Sequence, residues 1–190
     1  KVFVRDGKLV KVEGDPDHPI TREQCAAYRR QCIRYLNQRG IISSSEEACD
    51  FLVPELITCH WAPYCAVGME EFDKKVPIPL FNLVYHDCMS LPWASYAWMS
   101  GGTEPQHSQE WTDLHALLNG GTCYVTIDAD REQIERCQPI LALHEKICDQ
   151  EMLTHEFLTD DCTVQRTVFA NGTTVTVDYA RQTWEIREGN

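Results

Sequence analysis

The sequence predicts an α/β chain: a barrel-type parallel unit of strands and helices over residues 1–150, then an antiparallel β-sheet segment over 151–190. Three observations predict it. Short apolar strand patterns alternate with helical ones through the first part, an order that implies parallel βα units. The run from Pro77 to Tyr85 is apolar almost throughout, like a strand buried on both faces, and it stops at His86-Asp87-Cys88. Beyond residue 150 the pattern alternates with period two around Asn171-Gly172, a strong hairpin signal.

Taken in order, Val2-Phe3-Val4 is a short strand. Thr21 to Gln38 reads as a helix, with Thr21 as N-cap, Gln24 in the capping-box position, and Cys25, Tyr28, Cys32, Tyr35 and Leu36 at helical spacing. Gly40 ends it. Gly40 to Glu46 is a short strand running into three serines and a carboxylate. The Pro- and aromatic-rich stretch from Pro54 to Pro79 is mostly loop, long enough to favour a functional role. After the Tyr85-His86-Asp87 strand end comes a second loop with Trp93, Trp98 and Gly101-Gly102. A helix from Ser108 to Asn119 stops at Gly120-Gly121, a strand covers Cys123 to Ile127, and a helix runs from Asp130 to Cys148. In the tail, residues 164–169, 173–179 and 183–186 read as strands, and the boundary between the two segments falls near 149–160.

The 29 acidic residues against 17 basic give a net charge of −12, which argues against nucleic acid or an anionic membrane as partner and for a neutral ligand. No apolar run reaches the roughly 18 residues of a membrane span. The chain opens on Lys1 rather than Met, so a piece of a longer polypeptide is expected. Ten cysteines stand in a domain larger than the small secreted scaffolds that depend on disulfides. Cys88, Cys123, Cys137 and Cys148 fall where burial is expected, so mostly reduced thiols and an intracellular, cytoplasmic setting are expected. Cys59 and Cys65, with His60 between them, lack a second close pair, so neither a metal nor another cofactor is expected.

His86 and Asp87 are the first candidate site residues, because adjacent titratable side chains at the end of an apolar element are placed to meet a ligand. The competing reading is a His-Asp pair that caps the element and orders the next loop. Trp61, Tyr64, Trp93 and Trp98 lie in the two loops, where aromatic faces can stack on a ligand or simply anchor the loop.

With the elements placed, the chain resembles the C-terminal half of a glycoside hydrolase of the α-N-acetylgalactosaminidase and endo-α-N-acetylgalactosaminidase group. The resemblance rests on His18-Pro19-Ile20-Thr21-Arg22, Gly40-Ile41-Ile42-Ser43-Ser44-Ser45-Glu46, Pro77 to Asp87, Ala116-Leu117-Leu118-Asn119-Gly120-Gly121 and Phe169-Ala170-Asn171-Gly172-Thr173. It implies a partial (β/α)8 barrel followed by β-sandwich material, bacterial relatives, a carbohydrate substrate and a retaining mechanism. In that mechanism an aspartate attacks the anomeric carbon and a glutamate protonates the leaving oxygen. Glu46 matches the glutamate position, and a carboxylate desolvated at a strand mouth has its pKa raised towards that of a general acid. Glu46 and Glu47 would equally suit the start of a helix. Asp6 is the strand-terminal aspartate upstream, although Asp6-Gly7 also reads as the turn of a hairpin joining Val2-Phe3-Val4 to Leu9-Val10. His86, Asp87, Trp93, Trp61 and Tyr64 would line the sugar.

Two other readings stand beside this one. A non-catalytic carbohydrate-binding or interaction module would lack an aspartate partner for Glu46. The stretch from Asp6 to Arg22 also resembles the N-terminal segment of molybdopterin oxidoreductases, but the clustered cysteines and the Gly-x-x-Cys-x-Lys-Gly run of that group are missing. A half barrel exposes strand edges and an apolar face, so self-association is expected.

Overall fold

The computed structural model describes residues 2–5, 8–11, 20–45, 50–56, 58–59, 78–90, 92–93, 109–123, 125 and 127–189. Two compact units divide the chain: Lys1–Ser43 with Cys49–Leu56, and Ser44–Ala48 with Ile57–Asn190.

In the first unit, β1 (Val2–Arg5) pairs antiparallel with β2 (Lys8–Lys11), in the register of a hairpin with Arg5 opposite Lys8. The helix α1 (Arg22–Asn37) carries the expected capping box: Gln24 N donates to Thr21 Oγ1 at 3.1 Å and Thr21 N to Gln24 Oε1 at 2.9 Å. At its other end Gly40 takes φ +73°, and Ile41 N and Gly40 N reach back to Leu36 O and Asn37 O, a Schellman closure. A 3₁₀ turn, Asp50–Glu55, lies along α1. Arg34 donates to the Glu55 carboxylate, and Asn37 Nδ2 donates to the Glu55 carbonyl at 2.6 Å. No residue of α1 is buried.

In the second unit two short parallel pairs carry the α/β reading. One joins β3 (Ser44–Ser45) to β4 (Thr58–Cys59), and the other joins β5 (Pro92–Trp93) to β6 (Thr122–Cys123). The strand expected from Gly40 to Glu46 thus narrows to Ser44–Ser45, and the one expected from Cys123 to Ile127 moves to Thr122–Cys123. Each pair is two residues long, and neither draws a barrel.

The largest correction concerns the apolar run. Leu80–Tyr85 is a helix, α2, continued by a 3₁₀ turn over His86–Cys88, and not a strand. Its burial follows a helical face: Asn82 and His86, four residues apart, are buried while Leu80 and Val84 are exposed. Cys88 is accordingly exposed, and so is Cys148, the C-cap of the last helix; Cys123 is half-buried and only Cys137 of the four is buried. Cys25, Cys32, Cys88, Cys123, Cys137, Cys148 and Cys162 are unbridged.

Helix α3 (Gln109–Leu118) and helix α4 (Arg131–Ile147, N-capped by Asp130) match the expected helices within a residue or so. They share one core with an antiparallel sheet of β7 (Met152–Phe157), β8 (Val164–Phe169), β9 (Thr174–Asp178) and β10 (Thr183–Arg187), ordered β10-β9-β8-β7. Alternate residues Gln165, Thr167 and Phe169 on β8 and Val175 and Val177 on β9 point inward. They meet Leu114, Leu117 and Leu118 from α3 and Ile140, Leu143 and Ile147 from α4. Each such apolar side chain contributes about 1.5–3 kcal/mol by leaving water. The Asn171-Gly172 turn forms as expected: Gly172 takes φ +82° and the Asn171 side chain accepts from Thr173 N. Strand β7 is an addition to the expected elements.

Candidate functional site

The described part of the candidate site is built around the end of α3. Leu118 is followed by Asn119 and then Gly120 at φ +66°. Gly121 N donates to Ala116 O at 2.9 Å and Gly120 N to Leu117 O at 3.3 Å, so this end too is a Schellman closure. The Ala116–Gly121 stretch of the resemblance is therefore a helix stop with a fixed shape.

That shape presents the Gly120 carbonyl to two histidines. His86 Nε2 lies 3.1 Å from it and His144 Nδ1 3.3 Å, while His86 Nδ1 lies 2.7 Å from the Gln150 carbonyl. A neutral imidazole has one N–H, so His86 in that form donates to one of its two carbonyls, with Gln150 at the shorter distance. Its ring also packs on Phe169, centroids 4.9 Å apart. Beside it Asn82 Nδ2 donates to Asn119 O at 3.0 Å. His86 is thus a clasp between α2, the end of α3 and the entry to the sheet. It is only 4% exposed, and both of its ring nitrogens face backbone carbonyls.

Asp87 differs from its neighbour. It is exposed, on the turn that His86 anchors, and its Oδ1 accepts from Cys88 Sγ at 3.4 Å. Trp93 lies on β5. Glu46, Asp6, Trp61, Tyr64 and Trp98 lie outside the described residues, so the structure brings together only His86 and Asp87 of the expected set. Behind the clasp His115 bonds Tyr179 Oη at 2.5 Å, and Asn119 Nδ2 donates to His115 O at 2.9 Å. The sequence signal for this node was Asn119-Gly120-Gly121 at a helix end; nothing local pointed to Gln150 or Tyr179.

Burial pushes the His144 imidazole below its ordinary range, against the bond to Gly120. Burial likewise lowers His155, whose Nε2 lies 2.9 Å from Gln165 Oε1. Burial pushes the Cys123 thiol up, which makes it a poor nucleophile. Among the described residues no group of three or more His, Cys, Asp or Glu side chains converges as a metal site, and no helix is long and apolar enough to cross a membrane.

Comparison with solved structures defines the class first: the chain is similar, over nearly its whole length, to a stretch of a glycoside hydrolase. That hydrolase is the α-N-acetylgalactosaminidase NagBb of Bifidobacterium bifidum. Its ligand-free structure shares 42% identity over 92% of this chain, with a TM-score of 0.72. Its complex with GalNAc shares 39% over 93%, with a TM-score of 0.70, and its complex with Gal-NHAc-DNJ 37% over 94%, with 0.72. The chain spans 29–30% of the length of these structures. The resemblance read from the motifs therefore stands, and neither the binding-module nor the oxidoreductase reading is favoured. No protein-family model and no curated protein sequence matches the chain.

Proposed function

We propose that the chain is part of a glycoside hydrolase that acts on α-N-acetylgalactosaminides by a retaining, two-carboxylate mechanism. The observation that supports this best is its similarity to the GalNAc-bound α-N-acetylgalactosaminidase over 93% of its length. Glu46, directly after β3, is the proposed general acid, and Asp6, directly after β1, the proposed nucleophile. In a retaining pair one carboxylate attacks the anomeric carbon while the other protonates the leaving oxygen, then reverses its role towards water. Asp87 is proposed to accept hydrogen bonds from sugar hydroxyls, with Trp61, Trp93 and Tyr64 offering ring faces to the apolar side of the sugar. His86 acts from behind, as the clasp that fixes the turn bearing Asp87. In this reading the two parallel pairs are fragments of (β/α)8 barrel walls, and the antiparallel sheet belongs to the β-sandwich material beyond.

Replacement of Glu46 by Gln tests the assignment. Turnover of a natural O-linked substrate is expected to fall by about 10²–10⁴, and that of an aryl α-N-acetylgalactosaminide with an activated leaving group far less, since that group needs little protonation. Equal losses refute Glu46 as the acid. Hydrolysis of neither substrate by the unsubstituted chain overturns the assignment of the catalytic pair to this stretch.

A further inference from the structure

We propose that the outward face of the sheet formed by β7 to β10 binds one unit of a neutral saccharide, in a shallow groove that has no part in the proposed catalysis. The groove holds about 330 Å³ and is lined by Glu156, Arg166, Val168, Thr174, Thr176 and Arg187. That is the lower end of the volume of small-molecule sites, about 300–1,000 Å³.

The strand register makes the groove. Glu156, Arg166, Thr176 and Glu185 stand opposite one another in a row across the four strands, and Thr154, Val168, Thr174 and Arg187 form the next row. Two residues apart along each strand, all eight share one face. Glu156 and Arg166 are a directly opposed pair of unlike charges, which ordinarily close on each other. Here they form no ion pair. The Glu156 carboxylate has no hydrogen-bond partner among the described residues, and Arg166 spends only its Nε, on Thr176 Oγ1 at 3.4 Å. An acceptor and a donor fork are thus left open side by side. Arg187 is held in place by Glu185, through Nε at 3.0 Å and Nη2 at 3.1 Å, which leaves Nη1 for a ligand.

Vicinal hydroxyls of a sugar need this mixture: a carboxylate to accept, guanidinium N–H groups to donate, threonine hydroxyls to do either, and methyl groups beneath the ring, which Val168 and the threonines supply. Charge selects for neutrality. The two arginines are balanced by Glu156 and Glu185, and the chain as a whole carries −12, so the groove has no surplus of positive charge to draw an anion.

Titration of the ¹⁵N-labelled full chain with N-acetylgalactosamine and galactose, and with galacturonate as an anionic probe, tests the proposal. The neutral sugars are expected to shift the amides of Glu156, Arg166, Thr176 and Arg187 in a saturable way. Glu156→Gln and Arg166→Gln, each with an unchanged melting temperature, are expected to weaken binding about tenfold, as loss of a hydrogen bond to a charged group does. Shifts confined to residues around Asp87 and Trp93, preference for galacturonate, or shifts that follow protein concentration rather than sugar would each overturn the proposal. The first of these would leave the proposed function untouched, and failure of the Glu46 test would leave the sheet groove untouched.

Discussion

Helices α1 and α3 have much the same local grammar and opposite fates. Both end in a Schellman closure on a left-handed glycine, and α1 has in addition a complete capping box. Yet α1 buries no residue, whereas Leu117 and Leu118 of α3 are 1% and 0% exposed. End signals decide that a helix forms and where it stops. Only the surfaces offered by other elements decide whether it becomes core, and α3 has α4 and the sheet while α1 packs, among the described elements of its unit, mainly on the 3₁₀ turn Asp50–Glu55.

The sharpest test of that contrast is truncation. Leu117→Ala is expected to cost about 2–5 kcal/mol by leaving a cavity. Tyr28→Ala on α1, where Tyr28 is 55% exposed, is expected to change stability by no more than about 0.5 kcal/mol. Urea unfolding followed by circular dichroism measures both, and similar losses would show that α1 is covered after all.

A second pair isolates packing from backbone strain. Gly40 and Gly120 both have positive φ, so alanine at either meets the left-handed penalty of about 1–2 kcal/mol. A Cβ at Gly40 meets nothing within 4 Å, but one at Gly120 would stand 2.2 Å from His86 Nε2 and 3.0 Å from Ile147 Cδ1. Gly120→Ala is therefore expected to lose at least about 2 kcal/mol more than Gly40→Ala, through a broken clasp. Equal losses would mean that His86 shifts freely and is no clasp.

Caps give a smaller effect. Thr21→Ala and Asp130→Ala each remove an N-cap oxygen and are expected to cost about 1 kcal/mol. The first should fray α1 locally, seen in amide exchange, and the second should lower the global transition because α4 is part of the shared core.

The smallest separation is in pH. His144 and His155 have folded-state pKa values below the unfolded one, so the unfolded chain binds their protons more readily. Their contribution is complete above about pH 6.5 and is lost as pH falls through that value towards the folded one. In the first unit, the hydrogen bond from Arg34 holds the Glu55 carboxyl below its usual range, and that contribution is lost only below about pH 4. The melting temperature of the sheet unit should thus fall between pH 7 and pH 5, and His144→Gln should flatten the slope. An unchanged slope would remove His144 from the account.

Local chemistry was legible in the sequence, and distant partners were not. The Thr21–Gln24 box, the stops at Gly40 and Gly120, the helix start at Asp130 and the Asn171-Gly172 turn each rest on residues within a few positions. The run from Leu80 to Tyr85 read as a strand because a short apolar segment has no period of its own to declare. What makes it a helix face is Asn82 bonding Asn119 and His86 bonding Gly120 and Gln150, partners 37, 34 and 64 residues away. Strand β7 escaped notice because its register shifts between Met152 and Thr154, so Leu153 breaks the alternation that marks a strand. Of the site, the place of Asp87 at the end of an apolar element was legible but its exposure was not, and the inward role of His86 depends on two carbonyls that only the folded chain brings to its ring.

That same irregularity at Leu153 has a consequence for company. A four-stranded sheet has two open rims, and a flat rim is an invitation to a stray strand from another molecule. Here one edge strand is β7, whose register shifts between Met152 and Thr154, and the other is β10, which carries Glu185 and Arg187 and is followed by the exposed Glu188, tied to Lys146. A register shift on one edge strand and charged side chains on the other both work against edge-to-edge pairing with a second strand.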